Sequence, residues 1–377
     1  MKILPKRVNF VSVQQSHTIA AYGYRQPYVQ TGYENVIAHR TSDMFAYMAE
    51  NDGKVTSLNE HGIIVTYKDG TTRGVQLGVV YGKAEGSVYP HRIISGLKLN
   101  QTFKKGDAIA YNEAFFEKDF LDPTKIVYKS AMIVKTALLE SNQTHEDSSS
   151  ISKRISDKMS SKTTKVRNYV VDFKQEVRNV LKPGSMVSPN STLFIIEDES
   201  TAGSSLFDED TIDTLRRISS RAPRAKYKGI IDKIEVFYHG DKEDMSPSLR
   251  SLANASDKLL KEKQQAIGKE VFTGEVNTDY RTAGESLPVD HAEIKVYITI
   301  TTKAGVGDKG VFANQMKSVF GEVLGYDLTT EKGEPVDSLF GFRSIAARVV
   351  LSPIIIGTTT TLLKVIAKEA INIYKGK

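Results

Sequence analysis

From 292 to 302 apolar and polar residues alternate: Ile294, Val296, Ile298 and Ile300 against Lys295, Tyr297, Thr299 and Thr301. Period-two alternation predicts a strand with one buried face. Gly305 and Gly307 then break the pattern and free the backbone for a tight loop, with Asp308, Lys309 and, eight residues on, Lys317 following. Shorter apolar runs predict strands at 8–13, 63–67, 75–80, 108–110, 192–196 and 228–238, and one or two more across 127–139. Asp69-Gly70, Lys104-Lys105-Gly106-Asp107 and Lys182-Pro183-Gly184 supply turns, and 86–92 reads as loop. The stretch 148–159 reads as a helix start capped by Asp147 or a following serine. Few apolar positions and many lysines make 247–268 a helical segment that protrudes rather than packs. Leu362, Leu363, Val365, Ile366, Ala370, Ile371 and Ile373 recur at helical spacing, with Lys364, Lys368 and Glu369 between them. They predict an amphipathic C-terminal helix suited to docking on a partner.

Composition narrows the classes. The 377 residues allow two or three domains, and 40% hydrophobic with 25% charged residues is the balance of a folded protein. There are no cysteines, which excludes disulfides, thiolate catalysis and cysteine-based zinc sites. A net charge of +6 suits a nucleic-acid partner without requiring one. No signal peptide and no apolar run of the ~18 residues of a membrane span is visible, which gives a cytoplasmic reading with no membrane partner. The acidic, Ser-rich and then basic segment 199–222 is the best linker.

Three places carry candidate chemistry. Lys309 and Lys317, delivered by a strand and a Gly-rich loop, are two point charges suited to phosphate oxygens; the plainer reading is a surface turn with two solvated lysines. His145, Glu146 and Asp147 sit between polar residues just past an apolar strand. Adjacent carboxylates on a loop can hold a hydrated Mg²⁺ beside a nucleotide phosphate, or simply be solvated. The aromatic, Gly-rich stretch 22–33 has Arg25 in its middle. Aromatics beside arginine can bind nucleic acid, but more often form a loop packed on a domain face.

Several segments, in order, resemble the second half of the β subunit of multisubunit DNA-dependent RNA polymerases. VQTGYE at 29–34 resembles VGTGLE, FKKGDAIA at 103–110 the V-x-KGQ-x-IA segment, and THEDSSSISKR at 144–154 the NFEDSILISER stretch. Residues 180–196 resemble the KPGDILVGK-type strand pair and 228–238 the GTVIDVQVF strand of the flap domain. EIKVYITITTKAGVGDK at 293–309 is similar to KVYLAVKRRIQPGDK, after which the family has a further lysine at the spacing of Lys317. EPVD at 334–337 and VLSPIIIG at 350–357 resemble TPVD and VPSRMNIG. The resemblance spans nearly the whole chain. It starts well inside a normal β subunit and ends soon after the IG motif, like the C-terminal fragment of the split β subunits of giant bacteriophages.

The resemblance implies a mainly β fold with some α: a double-psi β barrel assembled from two chain segments, an inserted flap and a C-terminal helix. The implied domains are a β-rich hybrid-binding region at 1–117, the first barrel part at 118–176, a flap-like insertion at 177–288, and the second barrel part with the helix at 289–377. It implies that Lys309 and Lys317 contact phosphates at the RNA 3′ end and hybrid. Glu146 and Asp147 would lie near the nucleotide-bound Mg²⁺ through water, its primary ligands belonging to the β′ chain. Arg25 and Gln26 would match an Arg-Gln pair near the RNA. The family arginine that approaches the nucleotide aligns with Pro353, so Arg348 or Arg343 would have to substitute from a shifted loop. The family's RHGN between the lysines is Ala313-Asn314-Gln315-Met316 here. Implied partners are the β N-terminal fragment, β′ chains, a promoter-specificity factor, template DNA, RNA and nucleoside triphosphates. The implied place is the cytoplasm of the infected host, or the virion. The rival expectation is a non-catalytic nucleic-acid-binding or assembly protein derived from such a fragment. A second rival, an independent Mg²⁺ phosphotransferase, has only one carboxylate pair to rest on.

Overall fold

The alternating segment becomes the strand His291–Lys303, whose Ala292, Ile294, Val296 and Ile298 are at most 1% exposed. It pairs antiparallel with Ser160–Asp172 along its whole length, from Asp172 opposite His291 to Ser160 opposite Lys303. On its other side lies Gly229–His239. The computed structural model describes residues 2–11, 18–19, 22–84, 87–120, 122–129, 131–198, 221–313, 316–348 and 351–376. All but the last two residues of the linker at 199–222 lie outside these, as do Asn314, Gln315 and the end of the strand expected at 8–13.

Between the two long strands the chain makes an insertion, 173–290. Its core, including Phe173, Leu193, Phe194, Ile231, Tyr238 and Leu249, is drawn entirely from 171–298. The helix Pro247–Ala266 does not protrude as its composition suggests. Leu249 and Ala253 are fully buried in that core. The places where apolar residues are missing are filled by Ser256 and Asp257, which are buried and bonded. Ser256 accepts from Val236 N at 3.0 Å; Asp257 accepts from the Tyr238 hydroxyl at 3.0 Å and Gly274 N at 2.7 Å, and pairs with Lys242 at 2.7 Å. A satisfied buried polar group packs as well as an apolar one, and hydropathy alone cannot see it.

The C-terminal end of this helix rests on the sheet formed by Gly53–Leu58, Gly62–Tyr67 and Thr72–Gln76. Contact is close enough that a Cβ on Gly74 would lie 1.9 Å from the carbonyl oxygen of Ile267. Gly74→Ala is therefore expected to destabilise the protein by about 1–3 kcal/mol, the usual range for overpacking. Chemical denaturation reads it, and an unchanged midpoint would mean the two parts do not dock this way.

A second sheet curls on itself. Its order is Met132–Leu138, Ser338–Phe340, Ser148–Ser152, Met316–Leu324, Lys309–Phe312; Lys2–Val11 pairs with both ends and carries the short strand Thr18–Ile19 outside the ring. The six strands thus pair in a ring. Two neighbouring pairs are parallel, Met132–Leu138 with Ser338–Phe340 and Ser148–Ser152 with Met316–Leu324; the rest are antiparallel. Five strands come from the two segments expected to build a barrel, and the sixth from the N-terminal region. Val134, Ile151, Phe312, Met316, Phe320 and Phe340 form a common core, with the Phe312 and Phe340 rings 4.9 Å apart.

Other readings change too. Residues 148–159 are not one helix: Ser148–Ser152 is a ring strand, and Ser152 then caps the short helix Lys153–Lys158. Ser87–Ile94 is a strand, not a loop; Pro90 is tolerated because only Val88, Ile93 and Ile94 pair on the side away from Gly78–Ala84. The run 75–80 is cut at Gly78, φ 81°, into strands of different sheets. The C-terminal helix begins earlier than its spacing suggests, at Ser352, with Pro353 in its first turn. Among the described residues no helix is long and apolar enough to cross a membrane.

Candidate functional site

The long strand ends on Ala304, buried, whose N–H bonds to Met159 O at 3.0 Å. Gly305–Asp308 then turn the chain, with Gly307 at φ 92°. The Asp308 carboxylate accepts from Gly305 N at 2.8 Å, and Gly307 N donates to Phe320 O at 2.8 Å. Asp308 thus holds the loop that delivers the hairpin Lys309–Phe312/Met316–Leu324.

In that hairpin Lys309 opposes Val319 and Val311 opposes Lys317. Directly opposed residues share a face, as do residues two apart. Lys309, Val311, Lys317 and Val319 therefore line one face, while Gly310, Phe312, Met316, Ser318 and Phe320 line the other and are buried. The lysines are diagonal neighbours, about 7–8 Å apart at the backbone. Lys317 is exposed and Lys309 half-buried. Two ammonium groups so placed are compact point charges of the kind that suit phosphate oxygens.

The strand Ser148–Ser152 runs parallel to Met316–Leu324, so the residues entering both lie together. Val319 N donates to Asp147 O at 2.9 Å. Glu146 sits in the left-handed region, φ 54°, and its carbonyl takes the Ser344 hydroxyl. The Asp147 side chain, 73% exposed, is ion-paired with Arg348. The same Nη2 of Arg348 donates to Lys317 O at 3.2 Å. Arg348 follows the helix Phe342–Ala347, whose Arg343 N–H is held by Glu140 Oε1 at 2.6 Å. Three stretches distant in sequence so converge, bringing Lys309, Lys317, Glu146, Asp147 and Arg348 to one end of the ring.

Arg25 and Gln26 belong to a different set of contacts. Gln26 is 2% exposed; its backbone N donates to Glu117 at 2.6 Å and its side-chain amide to Lys118 O at 3.1 Å. It is committed to the fold, and only Arg25 of the pair reaches solvent. Arg25 lies 3.3 Å from Glu117 and lines a groove of about 450 Å³ together with Arg154 and Lys158.

Sequence reasoning missed Ser344 and the bridging of Asp147 to the Lys317 carbonyl by Arg348. It also missed the inner serines: Ser149 and Ser318 are buried and 2.7 Å apart. The signal was the run SSSIS, an unusual string of small hydroxyl residues before a helix. Among the described residues no three or more His, Asp and Glu side chains cluster in a way that could hold a metal ion. Glu146 and Asp147 suit a hydrated Mg²⁺ as partners of its waters, not as a complete ligand set. The sequence matches no protein-family model and no curated protein.

Proposed function

We propose that this chain is the C-terminal part of a β-type subunit of a multisubunit DNA-dependent RNA polymerase and supplies one side of its active centre. The observation that carries the reading is the placing of Lys309 and Lys317 on one outward face, beside Glu146, Asp147 and Arg348. The ordered run of β-subunit-like segments points the same way. A six-stranded ring with two parallel neighbours is compatible with a double-psi barrel, and 173–290 then corresponds to the flap.

In this reading the two ammonium groups neutralise backbone phosphates at the RNA 3′ end, a target that suits compact point charges. Arg348 holds Asp147 in place and ties it to the strand carrying Lys317. Mg²⁺, bound chiefly by a β′-type partner, would polarise the reacting phosphate; Glu146 and Asp147 would order its waters. The insertion would serve a promoter-specificity factor. Because Pro247–Ala266 carries part of that insertion's core, this role is tested by surface changes such as at exposed Phe272, 61% accessible, and not by deletion.

The direct experiment assembles the polymerase and follows single-nucleotide extension on an RNA–DNA scaffold. Glu146→Ala with Asp147→Ala is expected to raise the KM for nucleotides and the Mg²⁺ requirement while assembly survives, because both side chains lie on a surface loop. Unchanged nucleotide kinetics in the assembled variant would return the pair to a solvated loop.

A further inference from the structure

The helix Phe342–Ala347 is only six residues long, yet it and its flanks grip the loop that carries Glu146 and Asp147 at several points. Ile345, 3% exposed, anchors it in the same core as Phe320 and Phe340. Just before it, Leu139 N donates to Phe340 O at 3.0 Å. A Cβ on Gly341 would lie 2.5 Å from Thr144 O, so backbone meets backbone there. Within the helix, Arg343 N donates to Glu140 Oε1 at 2.6 Å, and the hydroxyl of buried Ser344 donates to Glu146 O. The first part of the loop is also tied to itself. Thr144, fully buried, donates to Leu139 O at 2.8 Å and accepts from Ser141 N at 2.8 Å.

The next residues are strained. Ser148 N donates to His145 O at 3.2 Å, closing a turn whose first central residue is Glu146 at φ 54°. Glycine is favoured at such a position, and a residue with a side chain stays there only where its surroundings hold it. Two bonds do so: Ser344 on the Glu146 carbonyl, and Val319 N on the Asp147 carbonyl at 2.9 Å. The ion pair of Asp147 with Arg348 contributes less, because the Asp147 side chain is mostly solvated and exposed pairs are weak. On the side facing the helix, the buried hydroxyl is therefore the stronger hold.

We propose that Ser344 is a positioning residue: its hydroxyl fixes the Glu146–Asp147 turn in the conformation that keeps both residues at the end of the ring where Lys309 and Lys317 lie. Ser344 acts through the Glu146 backbone and touches no ligand itself. Its effect on nucleotide use rests on the polymerase reading; its effect on the turn does not.

Two measurements separate these claims. Hydrogen–deuterium exchange of the full chain by itself reads the turn. Ser344→Ala is expected to speed exchange in the peptide covering 140–148 about threefold to tenfold, the factor of one lost hydrogen bond, with the strand 229–239 unchanged. Ser344→Thr, which keeps the hydroxyl, should restore slow exchange. Unchanged exchange in 140–148, acceleration across the whole chain, or a threonine variant as fast as the alanine one would each overturn the proposal. Single-nucleotide extension by the assembled polymerase reads the consequence. Ser344→Ala should raise the KM for nucleotides about threefold to tenfold, with kcat at saturation within about twofold. Added to Glu146→Ala with Asp147→Ala it should raise KM no further, since residues that act through one another are not additive. A KM that Ser344→Ala leaves unchanged where the double carboxylate variant raises it would overturn the proposal and leave the polymerase reading standing. A KM that neither variant moves would remove the carboxylates' role and the proposal with it.

Discussion

Replacing Lys309 and Lys317 by alanine is expected to slow nucleotide addition in the assembled enzyme, or to loosen the RNA 3′ end, by roughly tenfold to a hundredfold for each lysine, and by more for both. The size follows from a hydrogen bond to a charged group, worth about 1.5–3 kcal/mol, against about 1.4 kcal/mol per factor of ten. Both side chains project from one face of a hairpin whose other face is locked by Phe312, Met316 and Phe320, all 0% exposed. The two charges therefore address a single phosphate track. Lys317 is exposed, so its loss should change stability by no more than about 0.5 kcal/mol. Arginine replacements should also be impaired, since a planar fork needs more room than an ammonium. Extension on a preformed scaffold, with folding and assembly measured separately, reads the effect. Near-wild-type extension by the double variant would make these ordinary surface charges and remove the chief support for the polymerase reading.

The second expected result is categorical. The purified chain alone should make no RNA on any template, and synthesis should appear once companions supply a β′-type carboxylate cluster. Two-metal phosphoryl transfer needs several carboxylates aimed at one point. In this reading Glu146 and Asp147 stand at the edge of that point, and Asp147 is already engaged by Arg348. Radiolabelled nucleotide incorporation with and without companion subunits measures it. Templated synthesis by the chain alone would sink the split-subunit reading.

Much of the architecture is legible because one physical rule dominates locally. His291–Lys303 is long and buried on one side, so its alternation survives in the sequence. Asp69-Gly70 and the loop at Gly305–Asp308 announce themselves through turn chemistry. The strand Ser148–Ser152 was illegible for the opposite reason. Serine favours caps and turns, yet Ser149 and Ser150 are fully buried in the ring, and their hydroxyls reach Ser318 and Glu322. Tertiary packing there overrides propensity. The same limit applies to the candidate site. The two lysines could be singled out from the loop that presents them, but Arg348 could not be tied to Asp147, because a bond across 201 residues leaves no local trace. Gln26 shows the converse: a polar residue beside an arginine looks available to a ligand and is instead spent inside the fold.

The ring's assembly order follows from where its strands come from. Ser149 and Ser318 meet across 169 residues of chain. Bringing together such distant strands is slow, because the loop entropy is lost before the contacts form. The insertion shortens the distance. Its core is drawn from a contiguous stretch of chain, so it can form first, and once formed it holds Asp172 opposite His291. The span left to close is then only about 50 residues, which lowers the closure cost by roughly 1 kcal/mol. Folded early, the insertion works as an internal staple, and variants that loosen its core should slow refolding of the ring even though they touch none of its strands.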